Sequence, residues 1–183
     1  MSKGATFERS VCVQLSEWFS YGKRDDLFWR THGSGARATT RHKKGLQTPG
    51  QHGDIAATDS NGKPLIDVLT FSLKRGYKGV SIQDLFDLPP TSKRREFERW
   101  IFEAYDSHKS AGSYAWGIIV KRDRRDTLFL APDYLFQQMK INVLGLMRFR
   151  TYNSTEFSFG VIRLSYFFNI KPDQIKDLAA DYA

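Results

Sequence analysis

The sequence predicts an α/β sandwich with a mixed central β-sheet flanked by helices. Three observations predict it. A segment with a helical apolar stripe precedes a group of short β-type runs. A longer amphipathic helical segment separates these from two further apolar runs. An Asn-Gly pair, Asn61-Gly62, lies between apolar stretches, a strong hairpin signal that argues against a doubly wound sheet.

The elements follow in order. Residues 5–21 put Phe7, Val11, Leu15, Trp18 and Phe19 on one helical face, with Thr6 or Ser2 as cap and Gly22 as stop. Residues 26–31, DLFWRT, predict a short strand. Residues 32–53 are rich in Gly, Ser and Thr and poor in apolar side chains, so they read as a long loop, functional or disordered. DIAATD and PLIDVLTFSLK read as the two strands of one hairpin, turning through residues 60–63. SIQDLFD, residues 81–87, predicts a short helix closed by Pro89-Pro90. Residues 92–112 predict a longer helix with Ser92 as cap, Phe97, Ile101, Ala104 and Tyr105 inward, and Gly112 as stop. YAWGIIVKRD and TLFLAP predict strands, DYLFQQMKI a helix, and FGVIRLSYFFNI a strand running into a short helix. The tail from Lys171 is polar and is expected to be peripheral.

The 183 residues suffice for one domain with a real core. The single cysteine, Cys12, falls on the apolar helix face, cannot form an internal disulfide, and agrees with a cytoplasmic protein. The N-terminus lacks the apolar core of a signal peptide, and no apolar run reaches membrane-spanning length. A net charge of +8 and a pI near 9.6 favour a polyanionic partner. No basic amphipathic helix rich in exposed Trp or Leu is evident, so nucleic acid is placed ahead of a membrane surface. From Arg30 to Lys44 the chain carries Arg30, Arg37, Arg41, Lys43 and Lys44 and no acid. That one-signed stretch predicts phosphate contact; a solvated loop is the plainer reading.

Side chains alternate along a strand. Over residues 65–74 one face would carry Ile66, Val68, Thr70, Ser72 and Lys74, and the other Leu65, Asp67, Leu69, Phe71 and Leu73. Ser72 and Lys74 thus share a face that excludes Asp67. Asp54 opens the preceding strand and is expected beside Ser72 and Lys74.

Glu8 on an N-terminal helix, Gly33-Ser34-Gly35 after a basic strand, Gly53-Asp54-Ile55, and Ser72-x-Lys74 followed by Arg75-Gly76-Tyr77 together resemble the PD-(D/E)XK nuclease superfamily. The likeness is to its small phage-type and Holliday-junction-resolvase-like members and covers about residues 4–130, leaving 131–183 as an extension. It implies a restriction-endonuclease-like fold, DNA as partner, Mg²⁺ or Mn²⁺ as cofactor, and hydrolysis that leaves 5′-phosphate ends. Asp54 would be the central metal ligand, Glu8 would bind or orient a metal through water, and the Leu73 carbonyl would complete the shell. Lys74 would position the attacking water and stabilise transition-state charge. Branched DNA such as a Holliday junction, cut by a homodimer, suits members of this size.

One residue departs from the pattern. Ser72 stands where the superfamily has an acid, and serine supplies no negative charge. Three explanations stay open: a carboxylate from another element fills the gap, catalysis has been lost and DNA binding kept, or the serine was introduced to trap an inactive complex. Asp84, Asp87, Glu96, Glu98 and Glu103 are the downstream candidates, with Asp84 and Glu98 placed slightly ahead. Singly, Glu8 also reads as a solvated helix acid, Asp54 as a turn acid and Lys74 as a surface lysine.

The remaining candidates are phosphate contacts. Ser34 and its flanking glycines would let backbone amides approach DNA; no Gly-Lys-Ser/Thr follows, so this is no P-loop. Arg75, Tyr77 and Lys78 follow the site strand. Lys121, Arg122, Arg124 and Arg125 form one basic run, and Lys93, Arg94 and Arg95 another. His32, His42 and His52, ten apart, match no metal spacing. The alternatives to an endonuclease are a catalytically impaired DNA-binding protein on the same fold and a phage protein-binding factor using exposed aromatics.

Overall fold

The computed structural model describes residues 3–31, 52–151 and 156–182. The elements are α1 (Lys3–Phe19), β1 (Phe28–Arg30), β2 (Ile55–Ala57), α2 (Lys63–Val68), β3 (Leu69–Arg75), α3 (Asp84–Asp87), α4 (Glu96–Ala111), β4 (Ala115–Lys121), β5 (Thr127–Pro132), α5 (Asp133–Gln138), β6 (Gly145–Arg150), β7 (Glu156–Arg163), α6 (Leu164–Phe167) and α7 (Pro172–Tyr182).

Five strands make one sheet in the order β3-β4-β5-β7-β6. β3 and β4 are parallel, joined through α3 and α4, and every other pair is antiparallel. Alternation along β4 splits the core. Trp116, Ile118 and Val120 pack with Phe97, Trp100 and Ile101 of α4, whereas Ala115 and Ile119 pack with α1, α2, α6 and α7. Gly117 has no room for a side chain, because a Cβ there would meet the Phe129 ring at 2.8 Å. The result is the expected fold: a mixed sheet covered by helices on both faces, of restriction-endonuclease-like type.

Helix ends follow the sequence signals at two places. Gly22 takes φ +79 beyond α1, and Gly112 takes φ +70 with its N–H on the His108 carbonyl, where L-residues are strained. Ser92 does not cap α4: Arg95 is the N-cap residue and makes no side-chain cap bond.

The predicted hairpin is absent. β2 pairs instead with β1 as a separate antiparallel ribbon, Phe28 opposite Ala57 and Arg30 opposite Ile55. Asn61-Gly62 turns the chain, but into α2. Gly62 sits at φ −83, not in the left-handed conformation that an Asn-Gly hairpin turn needs. Its glycine serves close packing, since a Cβ would lie 2.9 Å from the Leu27 carbonyl. Pro64 suits the first turn of α2, and Leu65 and Val68, three apart, bury one helical face. β3 therefore begins at Leu69. Asp67 is kept from the site by its place on α2, where it pairs with Lys63 at 2.5 Å, and not by strand parity.

Two further elements were not foreseen. β6 is the sheet's far edge, with Met147 and Phe149 packed on the α4-side core and Leu146 exposed. The polar tail is α7, which buries Ile175, Leu178 and Ala179 and packs on α2. The Trp18 indole N–H donates to the Ile170 carbonyl at 2.9 Å, which ties this end of the chain to α1.

Candidate active site

The site lies where the β1–β2 ribbon abuts the free edge of β3. Gly53 makes that approach possible. It takes φ +75, and a Cβ there would lie 2.6 Å from the Phe71 carbonyl oxygen. Around it Asp54 is held from three sides. Its N–H donates to the Phe71 carbonyl at 2.7 Å, and its carbonyl accepts from the Thr31 N–H at 3.0 Å. Its Oδ2 accepts from the Leu73 N–H at 2.6 Å. The Gly53 N–H donates to Ser107 Oγ on α4 at 3.1 Å. So Asp54 stands beside Leu73, the residue between its expected neighbours Ser72 and Lys74, although no hairpin carries it there. In a strand the N–H and C=O of one residue point to the same side, so the Leu73 carbonyl leaves the same edge as the N–H that holds Asp54.

On the α4 side, β3 presents Thr70, Ser72 and Lys74. The Thr70 hydroxyl is 2.8 Å from Ser113 Oγ. Lys74 Nζ is 2.9 Å from Glu103 Oε2 and 5.8 Å from the Trp100 ring centroid. Glu103 is half-exposed and also approaches Arg99 Nε at 3.5 Å. Of the five downstream acids weighed as stand-ins, Glu103 is the one that reaches Lys74. Asp84 accepts from the Ser81 N–H at 3.2 Å, Glu96 pairs with Arg99, and Glu98 is buried against Arg95 at 3.0 Å. The slight preference for Asp84 and Glu98 is therefore corrected. The sequence signal was present: Trp100, Glu103 and Ser107 recur at helical spacing on the face that meets β3 and Gly53.

Glu8, on α1, meets Arg30 of β1, Nε to Oε2 at 3.0 Å. That oxygen is buried and makes no well-aligned hydrogen bond. Electrostatics link the acids. Burial pushes the Asp54 carboxyl above its ordinary range; the Leu73 N–H and Lys74 oppose this, and the charges of Glu8 and Glu103 add to it. Burial, reinforced by Glu8, pushes the Cys12 thiol up to about 12, so it is an inert core residue.

The donor set suits a hard divalent cation. Asp54 and Glu103 offer carboxylates, Leu73 a carbonyl, and Glu8 a buried carboxylate oxygen whose charge is met by Arg30. Among the described residues no three His, Cys, Asp or Glu side chains form a ready cage. Mg²⁺ commonly takes only one or two carboxylates together with water and substrate phosphate.

The predicted DNA contacts divide. Arg75, Tyr77, Lys78, Lys121 and Arg122 gather at the ends of parallel β3 and β4. Arg75 stacks over Phe7 and lies 3.7 Å from Asp123, and Tyr77 meets Trp100 edge-on. Arg30 is engaged with Glu8. Arg95 is buried, its guanidinium bonded to the Leu85 carbonyl at 2.8 Å, which corrects its reading as a phosphate contact. Ser34, Arg37, Arg41, Lys43 and Lys44 lie outside the described residues.

The mixed-sheet α/β sandwich is of restriction-endonuclease-like type, and it brings an acid, Asp54, and a lysine, Lys74, to one strand edge. The chain belongs to the family described as "Phage putative PDDEXK endonuclease", whose model matches residues 1–177. No curated protein and no solved structure matches it. At family level this makes the chain a nuclease with DNA as its substrate class, in a superfamily that generally uses divalent metals. Among the described residues no helix is long and apolar enough to cross a membrane.

Proposed function

We propose that this chain is a metal-dependent DNA endonuclease in which Glu103, on α4, supplies the carboxylate that Ser72 lacks. One observation carries the reading: Lys74 reaches Glu103 at 2.9 Å within the group of charges around Asp54. Asp54, Glu103 and the Leu73 carbonyl would hold Mg²⁺ or Mn²⁺, with Glu8 acting through water. When bound, the ion supplies an activated water and charge screening at the phosphate. Lys74, its ammonium 5.8 Å from the Trp100 ring centroid, would orient the attacking water and meet a non-bridging oxygen. Water adds to phosphorus, the 3′ oxygen leaves, and the 5′-phosphate remains. The hydrogen bond from Leu73 fixes the Asp54 carboxylate, so its orientation is set before substrate arrives.

Branched DNA, cut by paired subunits of a homodimer, is the finer reading of substrate, and an intracellular site of action goes with it. The size of the chain and its superfamily likeness support both. The test is plasmid and four-way-junction cleavage in Mg²⁺ and Mn²⁺. Wild type is expected to cut, Asp54→Asn to lose cutting by about a hundredfold or more, and Glu103→Gln to be slowed by about 10–100-fold. Ser72 favours one rival, a DNA-binding protein without catalysis. It would bind both DNAs with a steep salt dependence and cut neither in either metal.

A further inference from the structure

We propose that the cavity at the ends of β3 and β4 is a subsite for a backbone phosphate of the DNA strand, flanking the phosphate beside Lys74. The proposal rests on the nuclease reading above. The cavity has a volume of about 320 Å³. Its walls are the segment after β3, with Tyr77, Lys78 and Gly79, and the β4–β5 turn, with Arg122, Asp123 and Arg125.

The charge of this lining is unbalanced. Lys78, Arg122 and Arg125 form no ion pair with any acid among the described residues, whereas Asp123, the one acid present, lies 3.7 Å from Arg75. Three cations facing one shared carboxylate in a concave surface favour an anion. The turn that presents two of them is braced. The Arg125 N–H donates to the Arg122 carbonyl at 3.3 Å, and the Lys121 ammonium donates to the Arg125 carbonyl at 2.6 Å. Opposite them the backbone is open: Gly76 and Gly79 take φ +86 and +78, and a Cβ on either would meet no atom within 4 Å.

Position argues for the substrate strand. Trp100 is shared, since the Lys74 ammonium is 5.8 Å from its ring and Tyr77 packs edge-on at 4.7 Å. Lys78 is four positions after Lys74, a chain length of at most about 14 Å. The cavity therefore lies next to the cut and not on a remote face. Tyr77 is 40% exposed and gives the sugar an apolar wall.

The test is DNA binding in EDTA, where no cutting occurs, measured by fluorescence anisotropy of a labelled duplex across a salt series. Wild type is compared with Lys78→Gln, with Arg122→Gln/Arg125→Gln, and with Lys140→Gln, a cation on the segment after α5. Circular dichroism checks that each variant folds. Losing one phosphate contact flattens the logarithmic salt slope by about 0.9 for duplex DNA. The cavity variants are expected to lose about one unit or more of slope, and Lys140→Gln none. If wild type binds and the cavity variants keep its slope, the subsite is wrong and the nuclease reading stands. If wild type shows no salt-dependent binding, the nuclease reading fails and takes this proposal with it. Saturable binding of a mononucleotide, lost in the cavity variants while their DNA slope is unchanged, would assign the cavity to a free nucleotide and overturn the proposal.

Discussion

The carboxylate of Asp54 accepts the backbone N–H of Leu73 at 2.6 Å, which seats the acid of one ribbon on the free edge of the neighbouring sheet. Asparagine retains an acceptor for that N–H and removes the charge. Asp54→Asn is therefore expected to fold normally and lose cleavage by about a hundredfold or more. Plasmid nicking with matched circular dichroism spectra checks this.

The same substitution has a pH signature. The Asp54 carboxyl is raised above its ordinary 3.8 chiefly by burial. Between the unfolded and folded values the native state holds more protons, so stability falls as pH rises through that window. Asp54→Asn should consequently raise the melting temperature of the metal-free protein at neutral pH. The gain should vanish below about pH 4, where the wild-type acid is protonated in both states. Calorimetry at the two pH values checks it. Saturating Mn²⁺ should raise the melting point of wild type more than that of the variant.

Gly53 is the hinge of this arrangement. Gly53→Ala adds a side chain at φ +75 and 2.6 Å from the Phe71 carbonyl. The strained backbone alone costs about 1–3 kcal/mol. Urea unfolding should show that loss, and cleavage should fall with it because Asp54 is displaced.

Two acids on α4 should behave in opposite ways. Glu98 is buried with Arg95, their side chains 10% and 3% exposed, and removing one member of such a pair costs about 3–5 kcal/mol. Glu98→Ala should fail by unfolding. Glu103 is half-exposed, so its contact with Lys74 contributes at most about 1 kcal/mol after solvent screening. Glu103→Gln should remain folded and lose activity by about 10–100-fold. Thermal melts beside cleavage rates separate the two.

Ser72 offers a test by gain. It shares the face of Lys74, where the superfamily carries its acid. Ser72→Asp adds a carboxylate there and should tighten Mn²⁺ binding by about tenfold, since affinity for hard cations rises with ligand charge. A binding isotherm of the metal alone reads this out.

The site was legible where local chemistry decides. Strand alternation placed Ser72 and Lys74 on one face, with Asp54 expected beside them. The route to that geometry was not legible. Asn61-Gly62 followed by PLIDVL carries a hairpin signal, yet Leu65 and Val68 serve a helix as readily as Leu65 and Leu69 serve a strand. What decides is the pocket against α7, a contact from more than a hundred residues away. Glu103 was one of five candidate acids, behind Asp84 and Glu98, until α4 was laid against β3. β6 and α7 were hidden for the same reason: Met147 and Phe149, or Ile175 and Leu178, are too few to mark an element until a partner buries them.

The most direct test of the central claim is Mn²⁺ binding followed by electron paramagnetic resonance on wild type, Asp54→Asn, Glu103→Gln and the exposed control Asp87→Asn. Asp54 and Glu103 as joint ligands predict that wild type and Asp87→Asn bind alike. Each of the other two should weaken affinity by about tenfold or more. Glu103→Gln binding Mn²⁺ as tightly as wild type would rule out Glu103 as a ligand.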